Sequence, residues 1–524
     1  MQNENKMKRF HYTLGALCAA LLLASCGGGG GGGGTTPVPP VTPGLPGSYA
    51  DPITYSSGAN AGLSAPAERA ATVPLSMKLA GKTLDYTATT GHLTATDPVS
   101  GQPTVSFFYV AYTAGTLDPA KRPVTFFYNG GPGSSSLWLH LGSFGPKRIV
   151  TAIPSNVMPS PVQLIENQET LLDHSDLVFV DAIGTGYTQA VAPRTNAQFW
   201  GVDGDAAAFR DFVRRYVTVN TRQASPKYLF GESYGSPRTG VLSNLLEVAG
   251  VKLSGIVLQS AIMNYNANCG VLTPGTTSCE GYIPSYAAVS AYYKLTTPPA
   301  DFNAYLKEVR DFSAVTYRPA VATWLQTHTV PPVNVVSQLV NYSGLGSTLW
   351  NQNFSMGPDY YRTRVASNTM IGRYDARVST SLGSPLTVDD DPSLTVVNAA
   401  FSNTVQIYIN NELRYSARSP YVTFANVINQ WDFGHDGKSL PDTIPDVAAA
   451  MTLNPALKVV AMSGYYDLAT PFYQTELDLA RLGNNPNIQI KNYASGHMSY
   501  LDDATRRMQR DDMVTLYNSE SVAK

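Results

Sequence analysis

The chain has 524 residues, enough for one large domain carrying insertions or for two or three smaller ones. A formal net charge of −2 with only 14% charged residues excludes a basic nucleic-acid surface and an acidic tail. The 31 tyrosines, 36 prolines and 44 glycines suit a loop-rich extracytoplasmic protein better than a helical bundle.

The chain opens with Lys6, Lys8 and Arg9 ahead of an apolar run from Tyr12 to Leu23. That run is too short to span a bilayer and reads as a signal-peptide core. It ends in Leu23-Ala24-Ser25-Cys26, which resembles a bacterial lipobox whose cysteine accepts a lipid. The expectation is a signal peptide over 1–25 and an exported protein held to the cell envelope through Cys26. Eight glycines and the Pro-rich "TTPVPPVTPGLPG" have almost nothing to bury, so 26–50 reads as a flexible tether.

From about residue 76 short extended segments alternate with turns: "SMKLAGKTLDYTATTGHLTAT", "TVSFFYVAYTA" and "RPVTFFYNGGPG", with turn signals at Gly81-Lys82 and Asp97-Pro98. Apolar runs then precede helical patterns. "DLVFVDAIGTG" leads into "DGDAAAFRDFVRRYVTV", and "KYLFGESYG" into "GVLSNLLEVAG". This alternation predicts a mostly parallel sheet covered on both faces, an α/β fold with antiparallel N-terminal strands. "LSGIVLQSAIM" adds a strand, after which the pattern stops. Residues 266–445 are rich in Tyr, Asn and Ser with scattered helical pieces such as "DFNAYLKEVRDF". The pattern resumes with "ALKVVAMSGYYD" and "NIQIKNYASGHM" and closes on the helix "DATRRMQRDDMVTLYN". One sheet therefore runs through 51–265 and 446–524, with 266–445 as a large insertion or lid. Within it Cys269 and Cys279 read as a short-loop disulfide of an exported chain, since no further His or Cys offers zinc-ligand spacing.

Gly231-Glu232-Ser233-Tyr234-Gly235 sits between a strand and a helix, the pattern of a nucleophile elbow. A serine hydroxyl is a poor nucleophile at neutral pH and needs a base held by a carboxylate. In an α/β-hydrolase these follow in the order Ser, Asp, His, and Asp467 and His497 each follow a predicted strand in that order. His435 in "WDFGHDG" is the competing base, but it precedes Asp467 and lies in the insertion. Upstream, "FFYNGGPGSSS" supplies a glycine-rich loop whose N–H groups can face a developing negative charge. It has no Gly-Lys-Ser/Thr ending, and "AIGTGYTQA" lacks the third glycine of a dinucleotide fingerprint, so neither ATP nor NAD is expected. No cofactor or metal is expected.

Taken together, "FFYNGGPGSSS", "FVDAIGTGYTQA", "YLFGESYGS", "SGYYDLATP" and "ASGHM" resemble the serine carboxypeptidases, in matching order across about residues 100–500. The resemblance implies an α/β-hydrolase fold with an inserted lid and an enzyme that releases C-terminal residues from peptides. It implies Ser233 as nucleophile, His497 as base and then acid, and Asp467 as the group orienting His497. An oxyanion hole would come from the N–H groups of Gly131 and Tyr234, and a substrate carboxylate would be held by Asn129 and Glu232. A buried glutamate facing a carboxylate requires a proton between them, so acidic pH should favour the peptidase.

The pattern departs from better-known members in places. Phe127 stands where Trp is usual, Ser134 where Cys is usual, and Ser236 replaces a second small residue. The stretch from Asp467 to His497 is short, and "GHMSY" lacks a Val-Pro ending, which puts side-chain preference in doubt. Met498 either touches the leaving residue, as its family counterpart does, or packs in the core. An esterase or acyltransferase on the same scaffold is the nearest alternative, and an inactive surface binding protein a more distant one. The expected partners are peptides with a free C-terminus and, through Cys26, a membrane; the sequence carries no signal for oligomeric state.

Overall fold

The computed structural model describes residues 46–115 and 118–519. The signal segment, Cys26 and most of the tether lie outside the described residues.

Ten strands form the central sheet. In chain order they are β1 (Ala70–Leu79), β2 (Lys82–Thr96), β3 (Pro103–Ala114), β4 (Val124–Tyr128), β5 (Asp176–Val180), β6 (Gln189–Ala190), β7 (Lys227–Glu232), β8 (Gly255–Gln259), β9 (Lys458–Gly464) and β10 (Ile488–Tyr493). Across the sheet the order is β10-β9-β8-β7-β4-β5-β3-β2-β1, with the short β6 beside β3. Strands β4, β5, β7, β8, β9 and β10 are parallel to their neighbours in that set, while β1, β2 and β3 pair antiparallel. The first hairpin turns on Ala80 and Gly81, one residue earlier than the sequence signal, both at positive φ as a two-residue turn requires.

Strands β4, β5, β7 and β8 are buried at every residue, as expected where both faces are covered. Their side chains alternate between two cores. Phe127, Phe179, Phe230 and Val257 face one cluster with Trp138, Phe401 and Met513. Phe126, Val178, Leu229 and Ile256 face the other, against Phe209 and Phe212 of the helix Val202–Val219 and Leu242 of the helix Gly235–Val248. The two-residue period of a strand makes this division automatic once helices cover both sides.

The chain between β8 and β9 is more helical than its composition suggests. Ile283–Tyr292, Phe302–Phe312, Arg318–Thr327 and Val333–Ser343 build a separate core around Tyr286, Leu306, Leu339 and Trp350. A longer helix, Pro392–Asn411, turns instead toward the sheet and buries Leu394, Val397, Phe401 and Val405 in its core. These two kinds of segment contain many Val, Thr, Ser and Asn residues, weak helix formers, so packing of one face stabilises them rather than propensity. Cys269 and Cys279 are disulfide-bonded, and both belong to the first of these cores. Among the described residues no helix is long and apolar enough to cross a membrane.

Candidate active site

Ser233 follows β7 directly and has φ 58°, a left-handed conformation rare for a residue with a side chain. The turn is held by its amide donating to the Gln259 carbonyl at 2.9 Å and by the Ser236 amide donating to the Ser233 carbonyl at 2.8 Å. Glu232 and Tyr234 are buried while Ser233 is half-buried, so the strained turn turns the serine outward. The neighbouring chain can approach only because glycines line it. A Cβ on Gly130 would lie 2.4 Å from the Tyr234 amide nitrogen, and Gly131 itself has φ 105°. The glycine loop after β4 thus rests against the elbow after β7, next to the first turn of the helix Gly235–Val248.

Asp467 follows β9 and His497 follows β10, both beyond the C-terminal ends of parallel strands. His497 Nδ1 and Asp467 Oδ2 are 2.7 Å apart, and both side chains are almost fully buried. The other carboxylate oxygen accepts the amides of Ala469 and Thr470 at 2.8 and 2.9 Å. The Thr470 hydroxyl lies 2.8 Å from Oδ2 and 3.0 Å from Nδ1. Burial alone would lower the imidazole pKa, but the Asp467 charge and hydrogen bond outweigh it and the net shift is upward. The His497 backbone is pinned as well: its amide donates to the Tyr374 carbonyl at 2.6 Å, and its carbonyl accepts from Ser260 Oγ at 2.6 Å. The Tyr374 ring stacks on the imidazole at 4.5 Å between centroids.

Ser233 and His497 are therefore both attached to the end of β8, one through the Gln259 carbonyl and the other through Gln259 Nε2 and Ser260. Their side chains do not hydrogen-bond each other in this structure. Contacts of this kind commonly tighten only when substrate is bound.

The Asn129 amide donates to Glu232 Oε2 at 2.7 Å, and the Tyr500 hydroxyl donates to the same oxygen at 2.6 Å. Asn129 Oδ1 accepts the Leu139 amide, which fixes the orientation of the side chain. Burial pushes the Glu232 carboxyl up to about 7, against the downward pull of His497 and of the bonds from Tyr500 and Asn129. Both donors fall on Oε2, so Oε1 is the oxygen free of them to carry a proton.

A cavity of about 250 Å³ opens beside Ser233. Gly131, Pro132 and Thr470 line it near the elbow, and Arg373, Tyr374, Asp391 and Phe424 come from the insertion. Sequence reasoning missed Thr470, Tyr500, Arg373 and Tyr374. The first two sit three residues beyond Asp467 and His497, a spacing that could have flagged them; the other two carry no motif.

The other described histidines are placed elsewhere. His435 bridges Asp203 at 2.6 Å and Asp446 at 2.9 Å, an ion cluster outside the cavity wall. His92 and His140 are buried, and burial lowers their pKa values to about 4 and 3. Met498 is buried in the sheet core. Among the described residues no group of His, Cys, Asp and Glu is arranged to hold a metal ion.

A profile of the serine carboxypeptidase family matches residues 79–270, which include the glycine loop, the elbow and the strand after it. Residues 79–270 are thus similar to the serine carboxypeptidase family. The chain is 32% identical over 144 residues to the pheromone-processing carboxypeptidase KEX1 of Cryptococcus gattii. That match takes in 26% of this chain and 20% of the relative's own length. The crystal structure of a prohormone-processing carboxypeptidase, KEX1 from Saccharomyces cerevisiae, superposes with a TM-score of 0.52 at 14% identity, covering 83% of this chain and 91% of that one. At that identity the likeness concerns the fold, an α/β-hydrolase. Asp467 and His497 lie downstream of the family segment, so their part in the site rests on the geometry described above.

Proposed function

We propose that the protein is a serine carboxypeptidase releasing C-terminal residues from peptides. The observation that carries this reading is the buried Asn129–Glu232–Tyr500 cluster immediately before Ser233. A carboxyl with a pKa of about 7 is half protonated near neutrality and can donate a hydrogen bond to a substrate carboxylate.

In this reading Ser233 Oγ attacks the last peptide carbonyl as His497 Nε2 takes its proton. The oxyanion rests on the N–H groups of Gly131 and Tyr234. His497 then protonates the leaving amine, the terminal residue departs, and water activated by His497 hydrolyses the acyl-enzyme. Asp467 holds the tautomer with Nδ1–H toward itself and stabilises the imidazolium. Export is supported by the basic-apolar leader and the disulfide, and lipid attachment by the cysteine at position 26.

The test compares N-blocked dipeptides carrying a free C-terminus with their amides. Preferential cleavage of the free acids, lost in Ser233→Ala, is the expected result. Equal cleavage of acids, amides and simple esters would point to an esterase or acyltransferase, and a fluorophosphonate that fails to label Ser233 would remove the hydrolase reading.

A further inference from the structure

Arg373 stands out among the residues lining the cavity beside Ser233. It is 9% exposed, and its side chain makes no hydrogen bond and no ion pair with any described residue; Nε is buried without an acceptor. Its neighbour on the cavity wall, Arg362, is fully engaged by the Ile371 carbonyl, Asp359 and Asp390. Asp391, on the same cavity wall, is already occupied: its carboxylate accepts the amides of Arg373, Tyr374 and Ser393 and the Ser393 hydroxyl. Burial works against the cation, and the charges of Asp359 and Asp391 offset that at a distance so that its pKa is raised, but no protein acceptor takes up its N–H donors.

The backbone of Arg373 is firmly placed. Its carbonyl accepts the Leu468 amide, one residue past Asp467, and the carbonyl of the next residue, Tyr374, accepts the His497 amide. The cation is thus fixed by its main chain between the loops that carry Asp467 and His497, with its charged end left to the cavity. Arg373 also acts on His497 electrostatically, which fits a position close to the reacting centre.

We propose that Arg373 is a specificity-determining residue that receives a carboxylate of the bound substrate, whether the terminal carboxylate or that of an acidic side chain next to the scissile bond. A planar guanidinium pairs with a carboxylate through two parallel hydrogen bonds, so an anionic ligand would take up the donors that no protein acceptor takes up. Asp389 and Asp390 at the outer wall would repel a misplaced carboxylate and thereby sharpen the register.

The choice of peptides rests on the carboxypeptidase reading, but the readout is binding and needs no turnover. In a Ser233→Ala background, calorimetric affinities are measured for N-blocked Phe-Leu as acid and amide, and for the amides of Phe-Glu and Phe-Gln. The terminal arm predicts that the acid binds better than the amide; the side-chain arm predicts that Phe-Glu amide binds better than Phe-Gln amide. Arg373→Met should weaken the favoured carboxylate ligand by about tenfold to a hundredfold, leave its uncharged partner within about twofold, and be partly rescued in Arg373→Lys. Because the Arg373 side chain makes no hydrogen bond in the protein, Arg373→Met should still fold and melt in a single transition. Equal weakening of charged and uncharged ligands, no change at all, or binding of none of the four overturns the assignment. Carboxylate binding in a protein whose wild type cleaves no peptide would instead leave Arg373 in place and remove the peptidase.

Discussion

Glu232 carries the sharpest consequence at the scale of single residues. Its pKa of about 7 lies well above the ordinary carboxyl value, so the proton is held below pH 7 and lost above it. Affinity for a free C-terminus should fall by about tenfold per pH unit above 7, and Glu232→Gln, a permanent neutral donor, should flatten that fall in KM. The acid limb of the profile belongs to His497, whose pKa Asp467 and, to a smaller extent, Glu232 raise, and it should move slightly toward lower pH in Glu232→Gln. An unchanged alkaline limb would remove Glu232 from substrate binding. Ser233, Asp467 and His497 could be named from sequence because each follows a predicted strand in the order Ser, Asp, His, and Asn129 and Glu232 could be named because of the resemblance to the serine carboxypeptidases. Tyr500 had only its spacing from His497 to flag it, and Arg373 and the stacked Tyr374 had no motif at all, because their place in the site depends on who they meet, 268 residues away in the case of Tyr500 and Glu232.

Between elements, His435 ties the insertion to the sheet's helices. Asp203 and Asp446 occupy the first turns of the helices Val202–Val219 and Ile444–Leu453, where the helix dipole favours carboxylates, and His435 bridges them. The hydrogen bond with Asp446, followed by that with Asp203, raises the His435 pKa to about 9 despite the opposing effect of burial. Its folded pKa is above the unfolded value, so its stabilisation is fully present below about pH 6.5 and disappears as pH rises through 9. Thermal melts of wild type should therefore fall between pH 7 and 10 by more than those of His435→Gln. A parallel fall in both proteins would assign the loss to other groups. The segment just before His435 supplies Phe424, Ala425, Ile428 and Phe433 to the cavity wall, so the same variant should also loosen substrate binding. In sequence His435 read as a rival base. Its role depends on two carboxylates 232 and 11 positions away, which only packing brings to it.

Across the whole molecule the insertion is not a detachable cap. The helix Pro392–Asn411 places Phe401 at 0% exposure, with its ring 4.9 Å from Trp138 in the sheet core. The strand pairing Tyr49–Asp51 with Tyr415–Ala417 ties its far end to the start of the described chain. Phe401→Ala should cost about 3–5 kcal/mol, seen as a lower denaturation midpoint in a single transition followed by two probes. Two separate transitions would show that the lid and sheet unfold independently.

The sequence by itself determined the strand order of events: apolar runs buried on both faces, glycines where backbones meet, and a Ser, an Asp and a His at three strand ends. Such features follow from local rules, the period of two in a strand and the steric demands of a tight turn, which neighbours in sequence are enough to express. Only the tertiary structure decided the helical content of the insertion, the pairing of His435 and the lack of a hydrogen-bond acceptor for the Arg373 side chain. Those depend on burial and on charges brought together from distant positions. A guanidinium reads the same in any sequence, and whether it has a partner is settled only by the fold.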